Sequence, residues 1–278
     1  MVGLNPDIIF LIGDNVYADF PVEQTSPSIL WERNFQTRER LGLFRSKQLV
    51  PVVATWDDHD FGLNNAGSEY PYKQQSLTVF KTFFASDDSD NFSMPNIGVA
   101  SELDIYGFNF FLLDNRTFRT PIGATPEWHF GKAQSQWLLD NLTGKEHAFI
   151  ISGDQFFGGY APKDSFQGQR PQRFAEFLQA IKAIDTKVVF LSGDRHFTEI
   201  MEIPADRVGY TTYELTSSPI QSLPRPFLFP NPLRIEGQDM TNNFMLVEVS
   251  EGSKGLHLYA TSYDEKGKIL FKRKLNIE

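Results

Sequence analysis

Four short apolar runs in this chain end alike. "IIFLI" at 8–12 leads into "GDNVYAD", and "PVVAT" at 51–55 into "WDDHDFGLNN". "HAFIIS" at 147–152 leads into "GDQ", and "KVVFLS" at 187–192 into "GDRH". Short, largely β-branched runs of this kind predict strands buried on both faces. Ligands of open α/β sheets bind beyond the carboxyl ends of their strands. One Gly-Asp ending is ordinary turn chemistry, since both are turn residues. Three of them, together with WDDHD, predict a polar cluster along one sheet edge.

The segments between these runs predict helices over 28–44, 72–84, 131–142 and 170–184. A hairpin is predicted over 103–113, turning near Gly107. From residue 210 the pattern changes to consecutive strands: "YTTYELTSS", "NFMLVEVS", "GLHLYATSY" and "KILFKRKL", the last two joined at "DEKGK". Strand–helix alternation followed by consecutive strands predicts an α/β fold with a mixed sheet or two stacked sheets. With 278 residues the chain makes one large domain or two small ones.

WDDHD places Asp57, Asp58, His59 and Asp60 in consecutive positions after a strand. Carboxylates this close repel and raise each other's pKa. A bound cation reverses that effect and stabilises them as anions. The chain has no cysteine, so any metal is held by oxygen and nitrogen donors. Asp, His, Tyr and Asn suit iron(III), manganese, calcium, magnesium or a carboxylate-rich zinc centre. Two such ions can clamp a phosphoryl group and activate water. Asp14, after the first strand, is the candidate for a carboxylate shared between them.

Net charge is −9 and no basic run stands out, which argues against nucleic acid as a partner. No apolar stretch is long enough to span a membrane, and no signal peptide precedes Met1. The 26 phenylalanines are read as core packing.

Several polar residues have plainer readings. Asp7 and Asp19 read as caps or turn residues, and Asp60 as a partner of backbone donors or a basic side chain. Asp57 reads either as a ligand or as an acceptor that orients a neighbour. His129, His147 and His257 lie outside these motifs and read as structural or exposed. Arg116 and Arg119 either grip phosphate or tie Asp114 and loop carbonyls in place. Arg195 is expected to point away from the metals. Residues 216–218 read as pocket lining or a plain strand end. The loop "PRPFLFPNP", with Phe227 and Phe229, reads as packed on the body or as a substrate lid.

"GDNVYAD", "WDDHDFGLNN", "LDNRTFR", "GKAQSQWLLDNL", "SGDQ", "LSGDRHFTEI" and "ELTSSPI" occur in that order. Together they resemble the alkaline phosphatase D (PhoD-like) branch of the calcineurin-like metallophosphatases, from about Pro6 to Ser222. The resemblance implies a four-layer αββα sandwich and hydrolysis of phosphate esters by metal-activated hydroxide at a two-metal site. It implies Asp14 as bridge, Tyr17 as phenolate ligand, and Asp58, Asp194 and His196 as further ligands. His59 would contact the phosphate or protonate the leaving group. Asn65 and Gln155 are weaker candidates for the second metal or the phosphate, with Asp57 and Arg116 beside them. The implied cofactors are iron(III) at Tyr17 and a divalent ion, calcium first and zinc, manganese or magnesium as alternatives. A periplasmic or secreted location is implied. The family has an earlier strand carrying another ligand, so one domain over 1–278 lacking that strand, or an upstream domain, is expected. The alternatives are a phospholipase-type phosphodiesterase and a metal-binding remnant without turnover.

Overall fold

The computed structural model describes residues 1–20, 25–48, 50–84, 92–158, 165–224, 228 and 230–278. Phe227 and Phe229 of the Pro-rich loop lie outside the described residues.

The first strand, β1 (Ile9–Ile12), pairs in parallel with β2 (Val52–Thr55), Ile9 opposite Val52. Between them runs α1 (Pro27–Arg40), with proline in its first turn and Ser26 Oγ accepting from the Ile29 N–H. The single helix expected over 28–44 is broken. Leu41 is extended and a 3-10 turn, Gly42–Arg45, follows, because glycine there disfavours helix continuation. Trp31 and Phe35 are about half exposed. After β2 come a single turn, α2 (Asp58–Phe61), and α3 (Lys73–Phe84).

A second sheet has eight strands. In chain order these are β3 (Phe92–Ser93), β4 (Ser101–Ile105), β5 (Phe108–Leu112), β6 (His147–Ser152), β7 (Lys187–Ser192), β8 (Thr198–Ile203), β9 (Thr212–Ser217) and β10 (Arg234–Gln238). Their spatial order is β10-β8-β9-β7-β6-β5-β4-β3, with β5, β6, β7 and β9 parallel at the centre. Helix α4 (Lys132–Leu142) links β5 to β6; α5 (Phe166–Gln169) and α6 (Pro171–Lys182) link β6 to β7. A short α7 (Ala205–Val208) joins β8 to β9. A third sheet, β11 (Asn243–Gly252), β12 (Gly255–Asp264) and β13 (Ile269–Ile277), is an antiparallel meander.

These pieces stack in four layers. Phe110 and Leu112 of β5 face a core shared with Val53 of β2 and with Leu256, Leu258 and Leu275 of the meander. Phe111 and Leu113 face the other way, onto Leu138 and Leu142 of α4 and Phe174 and Leu178 of α6. That period of two is why the central strands read as continuous apolar runs. On the far side, Ile9, Leu11 and Trp56 pack with Phe61 and Phe80 under α2 and α3. The result is an α/β sandwich, as expected from the sequence.

The Gly-Asp endings have a second cause besides turn chemistry. A Cβ on Gly193 would lie 2.4 Å from the Ile12 carbonyl oxygen, and one on Gly153 2.6 Å from that of Trp56. Glycine there lets the strand ends of the two inner layers touch, bringing the acids that follow to one place.

Asp114 holds this junction together. It accepts from Trp56 Nε1 (2.8 Å), from the N–H groups of Val99 (3.1 Å), Arg116 (2.9 Å) and Thr117 (2.8 Å), and from Thr117 Oγ1 (2.6 Å). Neither Arg116 nor Arg119 reaches it through its guanidinium, contrary to one sequence expectation. Asp114→Ala strands all these buried donors, and a loss of about 3–5 kcal/mol is expected. Urea unfolding checks this; a loss below about 1 kcal/mol contradicts the keystone role.

Candidate active site

Asp14 follows β1, Asp57 and Asp58 follow β2, and Asp194 and His196 follow β7. One carboxylate oxygen each from Asp14, Asp57 and Asp194 lies within 4.8 Å of the others, and so do ligand atoms of Asp14, Asp58 and His59. Asp14 is common to both groups. Tyr17 Oη is 3.3 Å from Asp14 Oδ2 and 3.3 Å from His196 Nε2. The backbones of Asp14, Asp194 and His196 are all left-handed, with φ of 49°, 63° and 58°. Non-glycine residues seldom adopt that region, and such strain concentrates where side chains must be aimed.

Electrostatics at this point are unfavourable without a cation. Burial, then Asp58, Asp57 and Asp194, push the Asp14 carboxyl well above the usual range. Burial and Asp14 push the Tyr17 phenol up. Asp57 is raised by burial against the pull of Arg116. Asp14 Oδ1 and Asp57 Oδ2 are buried without a hydrogen-bond partner. Buried carboxylate oxygens without partners are costly, and a cation satisfies them. The donors present, carboxylates with imidazole and phenol, therefore fit the metals that the sequence implied.

Around this centre sit groups that orient it. His59 Nδ1 is 2.6 Å from Asp19 Oδ1, and Asp19 Oδ2 accepts from the Asn64 N–H at 2.7 Å. Asp19 is thus more than the cap read from the sequence: it turns the ring and leaves Nε2 for the site. Burial alone would lower the His59 pKa, but Asp19 and Asp58 outweigh it and hold it up to about 9. His196 Nδ1 is 2.6 Å from the Leu223 carbonyl, which directs Nε2 at Tyr17. Asp60 accepts from the N–H groups of Val16 (3.0 Å) and Asp57 (2.9 Å), the backbone role expected for it. Asp58 accepts from the N–H groups of His59 (2.9 Å) and Asn65 (2.7 Å). Burial raises its pKa; Arg116 and His59 outweigh this and lower it.

Arg116 is buried and bonded to Asp57, with Asp58 Oδ2 3.7 Å away. Asn115 Nδ2 links Asp57 Oδ1 (2.7 Å) to Asp154 Oδ1 (2.9 Å). Asp154 in turn pairs with Arg119 and with His129 Nε2, 3.1 Å away. His129 therefore has the acidic company its sequence neighbours lack. Burial and Arg119 lower its pKa to about 3. Nothing in the spacing of 115, 119, 129 and 154 announces this network. Gln155 is buried, with Nε2 bonded to Glu199 Oε1 (2.6 Å) and Thr216 Oγ1 (2.8 Å). The Asn65 side chain is exposed, and only its backbone touches the acids. Arg195 is buried, its guanidinium over the Phe197 ring and 3.7 Å from Asp194 Oδ2. Ser217 and Ser218 line the pocket, whereas Thr216 is bonded inward.

A cavity of about 590 Å³ opens from Asp14, Tyr17, Asp194 and His196. It runs between β1 and β11 over an apolar floor that includes Phe149 and Leu191. Among the described residues, β1 pairs only with β2, and β11 only with β12, so each leaves an edge toward this slot.

Acids, imidazoles and a phenol are thus gathered at the strand ends of a layered α/β sandwich. Comparison with known proteins narrows this. The chain is 26% identical over 268 residues to alkaline phosphatase D of Bacillus subtilis (strain 168). The match covers 77% of the chain and 44% of the relative, so the chain spans less than half the length of that protein. A solved structure described as that of PhoD superposes with a TM-score of 0.70 at 18% identity, covering 97% of this chain and 66% of that one. No protein-family model matches. The chain therefore resembles alkaline phosphatase D in sequence and PhoD in fold, in line with the resemblance its motifs carry. No helix among the described residues is long and apolar enough to cross a membrane.

Proposed function

We propose that the protein is a metal-dependent phosphoesterase whose chemistry is centred on Asp14. The observation that carries this is the shared position of Asp14 between two donor groups, with a buried Oδ1 lacking any protein partner. Asp14, Asp57, Asp58, Asp194, His196 and Tyr17 would hold the ions. Bound there, metal ions would activate the attacking water and neutralise charge on the phosphoryl oxygens.

The residues do the rest. Asp19 holds the His59 ring so that Nε2 faces the reacting group. The Asp19 carboxylate at Nδ1 favours the protonated ring, which can give its Nε2 proton to the leaving oxygen. Arg116 and Asn115 fix Asp57 without reaching substrate. Sequence similarity to alkaline phosphatase D favours phosphate esters. A panel of monoesters, diesters and lipid phosphates, scored by released product with and without chelator, tests this. No chelator-sensitive release from any member sinks the proposal. Release confined to lipid phosphates gives the phospholipase reading.

We propose iron(III) at Tyr17. Burial and Asp14 oppose the phenolate, so a strongly electrophilic ion is needed to form it at neutral pH. The expected result after loading with iron(III) is a broad visible band, absent from Tyr17→Phe. A band unchanged in that variant removes Tyr17 from the ligand set.

The slot is read as the seat of one more extended strand between β1 and β11, completing a single domain. A form of the protein that supplies this strand should show slowed amide exchange along β1 and at Met245–Val249 in β11. Equal exchange with and without it contradicts the reading.

A further inference from the structure

At the opposite end of β6 from Ser152 lies a second donor cluster. Ligand atoms of Glu146, His147 and Glu251 fall within 4.8 Å of one another. β6 has six residues, which puts the cluster about 17 Å from the strand ends that carry the acids. Glu146 and Glu251 are exposed, while His147 is 6% exposed. Neither His147 Nδ1 nor Nε2 has a hydrogen-bond partner, and Nε2 lies 3.6 Å from Glu146 Oε1, too far for one.

An imidazole buried with both nitrogens unbonded is a group whose partner is missing. An ion with a preference for nitrogen and oxygen donors would bond all three groups at once. The cationic neighbour across the ladder, Lys187, is engaged elsewhere: Nζ donates to the Glu278 carbonyl at 2.9 Å and sits 4.6 Å from the centre of the Tyr210 ring. It does not fill the cluster.

We infer that Glu146, His147 and Glu251 form a binding site for a divalent ion of the zinc type, separate from the site at Asp14. One imidazole and two carboxylates, with water completing a tetrahedron, is a set that zinc accepts. The two glutamates need only rotate, being exposed, to shorten the present separations. His147 belongs to the large sheet and Glu251 to the meander, so the ion ties the two inner layers together at the end remote from the acids. Its effect is on stability and not on chemistry.

The test uses zinc alone as the probe. Zinc uptake is measured by equilibrium dialysis on the Asp14→Asn protein, which weakens the other site, and on Asp14→Asn combined with E146Q and E251Q. Both glutamines are surface substitutions that keep the side-chain shape, so folding is preserved; circular dichroism verifies it. His147→Asn is a second route to the same loss. The expected result is one equivalent of zinc fewer in the glutamine variant, with the zinc-dependent rise in melting temperature reduced. Otherwise wild-type protein carrying only E146Q and E251Q is expected to keep its phosphoester turnover. Equal zinc uptake in both proteins, or no zinc-dependent rise in melting temperature before the glutamines are introduced, overturns the inference.

Discussion

Asp14→Asn is expected to lower phosphoester turnover by about a thousand-fold or more. The carboxylate common to both donor groups is then replaced by a neutral amide. Metal-assisted charge stabilisation contributes several kcal/mol to such reactions, and each 1.36 kcal/mol is about tenfold in rate. The same change should stabilise the protein stripped of metal. Burial and four neighbouring acids raise the folded pKa of Asp14. Its charge therefore costs nothing below the pKa of the unfolded chain, and the cost grows as pH rises above it. At neutral pH, relief from that repulsion is expected to add about 1–2 kcal/mol, the usual gain when a functional site's strain is removed. Below about pH 4 the gain should disappear, because both forms are then uncharged. Paired denaturation curves at the two pH values, in chelator, check the sign. A metal-free Asp14→Asn protein less stable than wild type at neutral pH contradicts the electrostatic account.

His59→Ala should cost about 10²–10⁴ in kcat, the scale of a positioned acid. Metal content should change little. Asp19 acts through His59: Asp19→Asn keeps the shape but no longer requires the Nδ1–H tautomer, and a loss of about 10–100-fold is expected. The two substitutions should not be additive, since they disable one device. A substrate with a good leaving group needs less proton donation, so both variants should recover on it. Equal losses on good and poor leaving groups would instead make His59 a ligand or a phosphate contact.

Strand β6 spans the residues its sequence predicts, as does β7, because burial on both faces leaves a continuous apolar run with sharp polar ends. β8 and β10 are not legible in that way. Glu199 sits fully buried in β8 and pairs with Arg234 of β10 at 2.6 Å. An acid in the middle of a strand breaks the apolar pattern, and its partner lies 35 residues away. At the site, the residues that converge on Asp14 were legible because each follows a strand end directly. Asp19, Asn115 and the Arg119–His129–Asp154 network were not. Their roles come from tertiary approach between loops, and no local spacing encodes it. His129 is the clearest case: in sequence it stands between Trp128 and Phe130, and in the fold it packs on Asp154.

The most direct measurement is metal content and phosphoester turnover determined on the same samples. Protein stripped by chelator is reloaded in steps, with iron(III) and a divalent ion, and assayed after each. Wild type is predicted to gain turnover in proportion to the metal it binds at Asp14, while Asp14→Asn gains neither. Wild-type protein that turns over equally well when free of metal, or that fills with metal and never turns over, would contradict the account.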